Sequence, residues 1–175
     1  MNESLVLTDD IAAVSKIPQF KTNGVACDVR GKSDGRLDLC VVHSERPCAG
    51  AGVFTLNDVQ AAPVVLTRQL LSTGNAMHGI VCNSGNANAC TGDQGLRDAE
   101  KMSFETSSKA KAPQGSFLVC STGRIGEPMP IGRIVSGIDN CVHTLSHLTD
   151  AAERASQAIL TSDTRPKGCL VSWES

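Results

Sequence analysis

Two short apolar runs, each followed at once by small polar residues, constrain this chain more than any other feature. Residues 79–82 (GIVC) lead into residues 83–92 (NSGNANACTG), and residues 116–120 (SFLVC) lead into residues 121–126 (STGRIG). Short apolar runs of this kind are typical of buried strands. Because α/β proteins commonly place binding groups in the loops at strand ends, both small-residue segments are candidate sites.

Both segments also have a simpler interpretation. Gly, Asn and Ser are the ordinary residues of tight turns, and most isolated loops of this composition are only turns. Residues 83–92 contain three Asn and two Gly, which is more than a turn requires. Small side chains also let a ligand approach the backbone closely. The turn interpretation is weakened for this segment but stays open.

The remaining pattern predicts that strands and helices alternate along the chain. We predict strands at residues 37–42, 50–55, 63–66 and 170–175, and a helical stretch at residues 67–72. A longer helix is expected from apolar residues at helical spacing within residues 93–111, with Asp93 as its cap. A second helix is expected to start at Pro130, with an apolar face of Ile131, Ile134 and Ile138. A third is expected to start at Thr149 and Asp150, with a narrow apolar face of Ala151, Ala155, Ala158 and Ile159. The predicted fold class is α/β, or a layered α+β sandwich.

Composition excludes several kinds of function. The net charge of −2 and an aromatic content of only 3% provide neither a basic surface nor a stacking platform for nucleic acid. No apolar stretch reaches the length of a membrane span, and residues 1–10 (MNESLVLTDD) lack the basic start of a secretory signal. We therefore expect one globular domain over residues 1–175, located in the cytoplasm.

The cysteines and histidines do not predict a metal site. None of the eight cysteines forms a CxxC pair, and four lie in or beside apolar runs: Cys40, Cys82, Cys120 and Cys169. Such cysteines are usually small buried hydrophobes, so we expect buried free thiols in a reducing compartment. Cys40, His43 and Cys48 lack a common zinc spacing. His143 and His147 have no third ligand nearby, so a solvated helix face is expected there.

A third polar segment, residues 158–167 (AILTSDTRPK), follows the last predicted helix. Its hydroxyl groups and charges are suited to holding an amino-acid-like substrate. They are equally suited to ending a helix before Pro166 through local side-chain hydrogen bonds. The residues alone do not separate these interpretations.

Four segments, in this order along the chain, resemble one protein family. They are residues 50–64 (GAGVFTLNDVQAAPV), 83–92, 119–130 (VCSTGRIGEPMP) and 158–167. They resemble the bacterial and organellar bifunctional ornithine acetyltransferase/N-acetylglutamate synthase family of arginine biosynthesis. The similarity extends over residues 17–167, and four separate motifs in one order are a specific signal.

The resemblance implies a layered fold of the N-terminal-nucleophile type, similar to the DmpA/ornithine acetyltransferase architecture. This chain would be the N-terminal, alpha-chain-like part. Members are made as a precursor that cleaves itself between an Ala and a Thr, and the new N-terminal Thr is the nucleophile. An acetyl group then passes from N2-acetylornithine to glutamate through an acetyl-enzyme. The resemblance also implies an α2β2 heterotetramer with the beta part and no metal or other cofactor, although some members accept acetyl-CoA as a co-substrate.

The resemblance also implies roles for individual residues. Thr122, through its hydroxyl, and Gly123, through its backbone N–H, match the family's oxyanion-hole donors. Thr161 matches the family's substrate-contacting Thr, and Thr164 is the second choice for that role. Three further residues are expected to shape the site beside the oxyanion donors: Asn83, Ser84 and Gly85.

Two features depart from the family pattern. Arg124 follows the STG motif where the family usually has an apolar residue. A cation there either alters acceptor preference or points outward. The sequence ends at Ser175, before the family's substrate-binding Lys and its Ala-Thr cleavage pair, so we expect no turnover from this chain alone.

Three hypotheses remain. The chain is either part of an active acetyltransferase, or a truncated and inactive binding fragment of that family. A related self-cleaving hydrolase, such as an aminopeptidase, is a third hypothesis, although residues 83–92 and 161–167 argue against it. The coding sequence downstream of Ser175 separates the first two, since only an active enzyme requires an in-frame Ala-Thr pair.

Overall fold

The part of the chain described by this computed structural model, residues 5–173, alternates strands with helices around one mixed sheet. This confirms the predicted α/β class. In chain order the elements are β1 (Val6–Asp9), a 3-10 turn (Ala13–Lys16), β2 (Phe20–Val25), β3 (Leu39–Cys48), α1 (Ala62–Ser72), β4 (Met77–Asn86), α2 (Gly92–Lys109), β5 (Phe117–Arg124), α3 (Ile131–His143), α4 (Thr149–Ala158) and β6 (Cys169–Ser172).

The main sheet has the strand order β2-β3-β4-β5. Strands β2, β3 and β4 pair in antiparallel fashion, whereas β4 and β5 are parallel. Parallel neighbours need a long crossover connection, and α2 is the helix of that connection. Strands β1 and β6 form a separate antiparallel pair. The parallel arrangement places the C-terminal ends of β4 and β5 side by side.

The two faces of the main sheet pack against different helices. One face contacts α1, α2 and α3 through a core of buried apolar residues: Leu39, Val41, Leu66, Val81, Met102, Phe117, Val119, Ile134 and Ile138. The opposite face packs against α4, where Ala155 and Ala158 contact Cys40. Alanines give α4 a narrow apolar face, so the helix can lie close to the strands.

Helices α1 and α2 also satisfy the free edge of β5. The hydroxyl of Thr67 donates to the carbonyl of Val119 at 2.9 Å and accepts from its N–H at 3.1 Å. The hydroxyl of Ser103 donates to the carbonyl of Phe117 at 2.7 Å. Buried backbone groups need such partners, and an open strand edge invites association. These bonds fix β5, and with it the residues at its C-terminal end.

Several predicted elements are confirmed. The apolar runs at residues 79–82 and 116–120 lie within β4 and β5, and the helices expected at residues 93–111, after Pro130 and at Thr149 are α2, α3 and α4. The predicted final strand is β6, although Glu174 and Ser175 lie outside the described residues. The strand expected at residues 37–42 begins at Leu39 and extends to Cys48.

Other predictions were wrong. Residues 50–55 form no strand, and the side chain of Val53 is fully exposed. Residues 63–66 belong to α1, because Pro63 is tolerated in a first helical turn and Leu66 packs into the core. Asp93 does not cap α2, whose N-cap residue is Thr91. Ile159 is 45% exposed and does not continue the apolar face of α4.

The prediction of buried thiols holds only in part. Cys40 is buried, Cys82 is half-buried, and Cys120 and Cys169 are exposed. A strand of alternating faces buries one side only, so a cysteine in an apolar run is not necessarily covered. Across residues 5–173 every cysteine is free. In that same part of the chain, none of the helices combines the length and hydropathy needed to cross a bilayer.

Candidate active site

The two small-residue motifs lie next to each other at the end of the parallel strand pair. Ser84 of β4 is in register with Thr122 of β5, and Gly85 is in register with Gly123. Both motifs were predicted to be loops from their first residue, which is wrong, because strand pairing continues to Asn86. The pairing of β4 with β5 therefore brings residues 121–123 (STG) directly beside residues 83–85 (NSG).

The backbones of these strands approach each other more closely than side chains would permit. Gly123 has a φ of 138°, and a Cβ added there would lie 2.3 Å from the carbonyl carbon of Gly85. Cβ atoms in proteins essentially never lie within 3.0 Å of such an atom. Only glycine fits this position, both because of its φ and because of the missing side chain.

A cavity of about 510 Å³ opens at this end of the sheet. Four residues predicted for the site line it together: Gly85, Thr122, Gly123 and Thr161. Thr122 is half-buried, and within residues 5–173 its hydroxyl makes no hydrogen bond. It is therefore free to donate to a bound molecule. Ser162, which the sequence analysis did not single out, also lines the cavity.

The structure does not bring the other predicted residues to the surface of this cavity. Asn83 and Ser84 are fully buried beneath it, and Thr164 is exposed outside it. The side-chain amide of Asn83 donates to the carbonyl of Asn86 at 2.9 Å, which stabilises the strand end. The contribution of these three residues to substrate binding stays a prediction.

Within residues 83–92, the side chains of Asn86 and Asn88 form hydrogen bonds with the backbone. The amide of Asn86 donates to the carbonyls of Glu127 and Pro128, each at 3.1 Å, and its oxygen accepts from the N–H of Asn88 at 2.7 Å. The amide of Asn88 donates to the carbonyl of Gly95 at 2.8 Å. These bonds join the end of β4 to the segment after β5 and to the start of α2.

Three basic residues at the cavity were missed by the sequence analysis. Arg30, Lys32 and Arg36 line it together with Arg124. The side chain of Arg30 crosses Gly85, where a Cβ would lie 2.7 Å from the Arg30 Cγ. The available signal was the segment RGKSDGR at residues 30–36, with three cations and two glycines in seven residues. Its proximity to strands far along the chain has no local sequence signature.

Arg124 faces the cavity rather than pointing away from it. Its guanidinium forms an ion pair with Glu127 at 3.1 Å and donates to the carbonyl of Arg30 at 3.3 Å. The guanidinium of Arg30 in turn donates to the carbonyl of Leu160 at 3.2 Å. Arginines thus link residues 30–36, which we call the basic loop, to the end of β5 and to the segment that carries Thr161.

The Asp28 side chain organises the tip of the basic loop. Its Oδ1 accepts from the N–H groups of Lys32 at 2.8 Å and Ser33 at 2.9 Å, and Oδ2 pairs with Arg133 at 3.1 Å. The backbone bond from Ser33, with the bond from Lys32 and the charge of Arg133, lowers the pKa of Asp28 below its ordinary 3.8. The ionised Asp28 carboxylate therefore stabilises the folded loop fully above the ordinary aspartate pKa, and this contribution to folding stability is lost as the pH falls through the lowered value.

The buried carboxylate of Asp38 anchors the base of the same loop. Its two oxygens accept from the N–H groups of Cys27 and Val29, each at 2.7 Å. Removing a charged acceptor leaves both donors unpaired, so we expect Asp38→Ala to lower the free energy of unfolding by about 3 kcal/mol in urea denaturation.

Asp34→Ala is the matched control. Asp34 lies on the same loop and is exposed, and among the described residues it accepts only from the N–H of Arg36 at 3.1 Å. Its loss should change stability by no more than about 0.5 kcal/mol. Equal effects of the two substitutions would contradict the anchoring role of Asp38.

No group of three or more His, Cys, Asp and Glu side chains within residues 5–173 is arranged to hold a metal ion. The cavity itself presents hydroxyls, glycine backbone and cations. Such groups donate hydrogen bonds and are suited to negative charge, either on a bound anion or on an oxyanion that develops during acyl transfer.

Comparison with protein-family models identifies the family to which the chain belongs. The ArgJ family matches residues 21–175, which is most of the chain. The chain belongs to the ArgJ family. This confirms the resemblance drawn from the four motifs, two of which form the paired strand ends at the cavity.

Named relatives agree with this assignment. The mitochondrial arginine biosynthesis bifunctional protein ArgJ of Heterostelium pallidum is 47% identical over 158 residues, covering 89% of this chain and 35% of the relative. The arginine biosynthesis bifunctional protein ArgJ 1 of Clostridium acetobutylicum is 42% identical over 160 residues, covering 91% of this chain and 38% of the relative. The chain thus spans little more than a third of the length of these ArgJ proteins.

Two crystal structures share the fold. The ornithine acetyltransferase of Mycobacterium tuberculosis, solved in complex with ornithine, superposes with a TM-score of 0.89 at 34% identity, covering 96% of this chain and 88% of that one. The ArgJ bifunctional protein of Bacillus halodurans gives a TM-score of 0.84 at 29% identity, covering 98% and 94%. The layered architecture of the ArgJ family is therefore the architecture of this chain.

Proposed function

We propose that this chain supplies the oxyanion-binding part of an enzyme that transfers an acetyl group from N2-acetylornithine to glutamate. The observation that carries the proposal is the position of Thr122 and Gly123. They lie side by side on a cavity, at the end of a strand whose edge is fixed by α1 and α2. Membership of the ArgJ family and the likeness to a solved ornithine acetyltransferase support the same activity.

The proposed chemistry is acyl transfer through a covalent intermediate. The hydroxyl of an N-terminal Thr of the beta part attacks the acetyl carbonyl, and its α-amine takes the hydroxyl proton. The carbonyl oxygen gains negative charge, which the hydroxyl of Thr122 and the backbone N–H of Gly123 stabilise by donating hydrogen bonds. When the C–N bond breaks, ornithine leaves with the proton. The amine of glutamate then attacks the acetyl ester, releasing N-acetylglutamate and restoring the Thr hydroxyl.

The proposal includes the partners of this reaction. The beta part of the same precursor supplies the nucleophile after self-cleavage, and two copies of each part form the α2β2 assembly. Acetyl-CoA is an additional acetyl donor, and no metal or other cofactor takes part. The free cysteines of the described residues are compatible with a reducing cytoplasmic location.

Acetyl exchange between labelled N2-acetylornithine and glutamate tests the proposal. The complete protein, containing this chain and the beta part, should form labelled N-acetylglutamate without added acetyl-CoA. Release of free acetate or of amino acids from peptides, in place of exchange, would indicate the hydrolase alternative. Binding of ornithine without any turnover would indicate the inactive binding fragment.

A further inference from the structure

The cavity beside Thr122 and Gly123 carries a surplus of positive charge. Four of its nine lining residues are basic, and none of the nine is acidic. We call these four residues the basic rim: Arg30, Lys32, Arg36 and Arg124. A cleft lined by one sign of charge attracts ligands of the opposite sign, so the composition of the rim is suited to an anionic ligand.

Little of this charge is neutralised within the chain. Arg124 is paired with Glu127, and Arg30 donates to a backbone carbonyl, which carries no net charge. Among residues 5–173, Lys32 and Arg36 form no salt bridge, and both are exposed. About three of the four positive charges therefore remain available to a ligand.

The basic rim belongs to an ordered structure. Asp38 and Asp28 hold the backbone of the loop through four hydrogen bonds of 2.7–2.9 Å. The side chain of Arg30 occupies the space that the missing Cβ of Gly85 leaves open. A loop whose backbone is held in this way loses less entropy on binding an anion than a freely moving loop would.

The substrates of the exchange reaction do not account for this charge. At neutral pH, N2-acetylornithine has no net charge and carries its own ammonium group, and glutamate has a net charge of about −1. The cavity, of about 510 Å³, falls within the range that holds ligands much larger than an amino acid. Phosphate groups provide several negative charges on one molecule and are bound well by Arg and Lys.

We propose that the basic rim binds the phosphate groups of an acetyl donor with a nucleotide-bearing carrier, of which acetyl-CoA is the example. The inference rests on the proposed function, because the acetyl group must reach the same oxyanion donors. The Thr hydroxyl of the beta part forms the new C–O bond as the thioester C–S bond breaks. The hydroxyl proton passes through the α-amine to the departing thiolate, and no oxidant or reductant is needed.

Binding of adenosine 3′,5′-bisphosphate, measured by calorimetry on the complete protein, tests the inference. This probe carries phosphates of the carrier without a reactive thioester. The double variant Lys32→Gln/Arg36→Gln should bind it about tenfold more weakly, which corresponds to about 1.4 kcal/mol. The KM for acetyl-CoA should also rise by more than the KM for N2-acetylornithine. Added salt should weaken binding to the wild type because exposed charges are screened.

The matched control is Arg46→Gln/Lys101→Gln. Both residues are exposed and lie away from the cavity, near the far end of β3 and on α2. This variant has the same loss of charge, so it should bind the bisphosphate like the wild type. If both variants bound the bisphosphate equally weakly, the loss of affinity would come from net charge alone, and the inference would be overturned.

The outcomes also separate this inference from the proposed function. Acetyl exchange without bisphosphate binding by the wild type would overturn the phosphate site and leave the exchange activity standing. Bisphosphate binding without acetyl exchange would overturn the proposed function and leave the anion site. Weaker association of this chain with the beta part, with bisphosphate binding unchanged in the rim variant, would make the basic rim a subunit interface and contradict the inference.

Discussion

Thr122→Ala should lower kcat for acetyl exchange by about 10²–10³-fold, because one oxyanion donor typically contributes that much. Thr122 lines the cavity and its hydroxyl has no partner among the described residues, so the folded chain does not depend on that hydroxyl. Steady-state kinetics of the complete protein, compared with thermal unfolding, measures both consequences. The midpoint of unfolding should change little while kcat collapses.

Thr122→Ser provides the control, because serine keeps the hydroxyl and removes only a methyl group. Its kcat should fall far less than that of Thr122→Ala, because the oxyanion donor is retained. If Thr122→Ala retained wild-type kcat, Thr122 would have no oxyanion role. If both variants lost activity equally, the methyl group rather than the hydroxyl would be the important feature, and the proposed mechanism would be wrong at this residue.

Gly123→Ala should have the largest effect on folding. A Cβ at this position lies 2.3 Å from the carbonyl carbon of Gly85 and 2.6 Å from the N of Asn86, both of them backbone atoms that cannot turn aside. The φ of 138° adds strain for any residue with a side chain. The steric overlap and the backbone strain together should lower the free energy of unfolding by about 3–5 kcal/mol, measured by chemical denaturation. Activity should fall as well, because separating β4 from β5 moves Thr122.

Gly126→Ala is the matched control for Gly123→Ala. Gly126 follows in the same segment with a φ of 79°, but a Cβ there has no neighbour within 4 Å. It should therefore show only the strain of a left-handed backbone, about 1–2 kcal/mol. A Gly123→Ala protein as stable as Gly126→Ala would show that the strands can separate freely, which would contradict the close approach as the basis of the site.

Local patterns predicted most of the elements but not all of their identities. The spacing of Leu96, Ala99 and Met102 identifies α2, since helical periodicity is repeated several times over its length. The short run at residues 63–66 was misread as a strand, because a run of this length cannot distinguish a strand from a buried helix. Packing of Leu66 against the core decided it.

The candidate site was predicted where the family resemblance assigns a role to a residue, and it was missed where no motif does. Thr122, Gly123 and Thr161 were named from motifs, and the structure places all three on one cavity. Arg30 and Lys32 were not named, since exposed cations are common in any sequence. Their role depends on a loop held by Asp38, which is recognisable only from its contacts.

By itself, the sequence determined the α/β class, the two buried strands with small residues at their ends, and the family to which the chain belongs. The class and the two strands follow from periodicity and residue size, which are properties of neighbouring residues, whereas the family was recognised from the resemblance of four motifs. Only the tertiary structure decided that Gly85 and Gly123 are in register, that Arg124 donates to the carbonyl of Arg30, and that Arg30 donates to the carbonyl of Leu160. The physical reason is that sheet pairing and long-range hydrogen bonds join residues far apart in the sequence, 94 and 130 positions for these two hydrogen bonds, and local patterns carry no information over such distances.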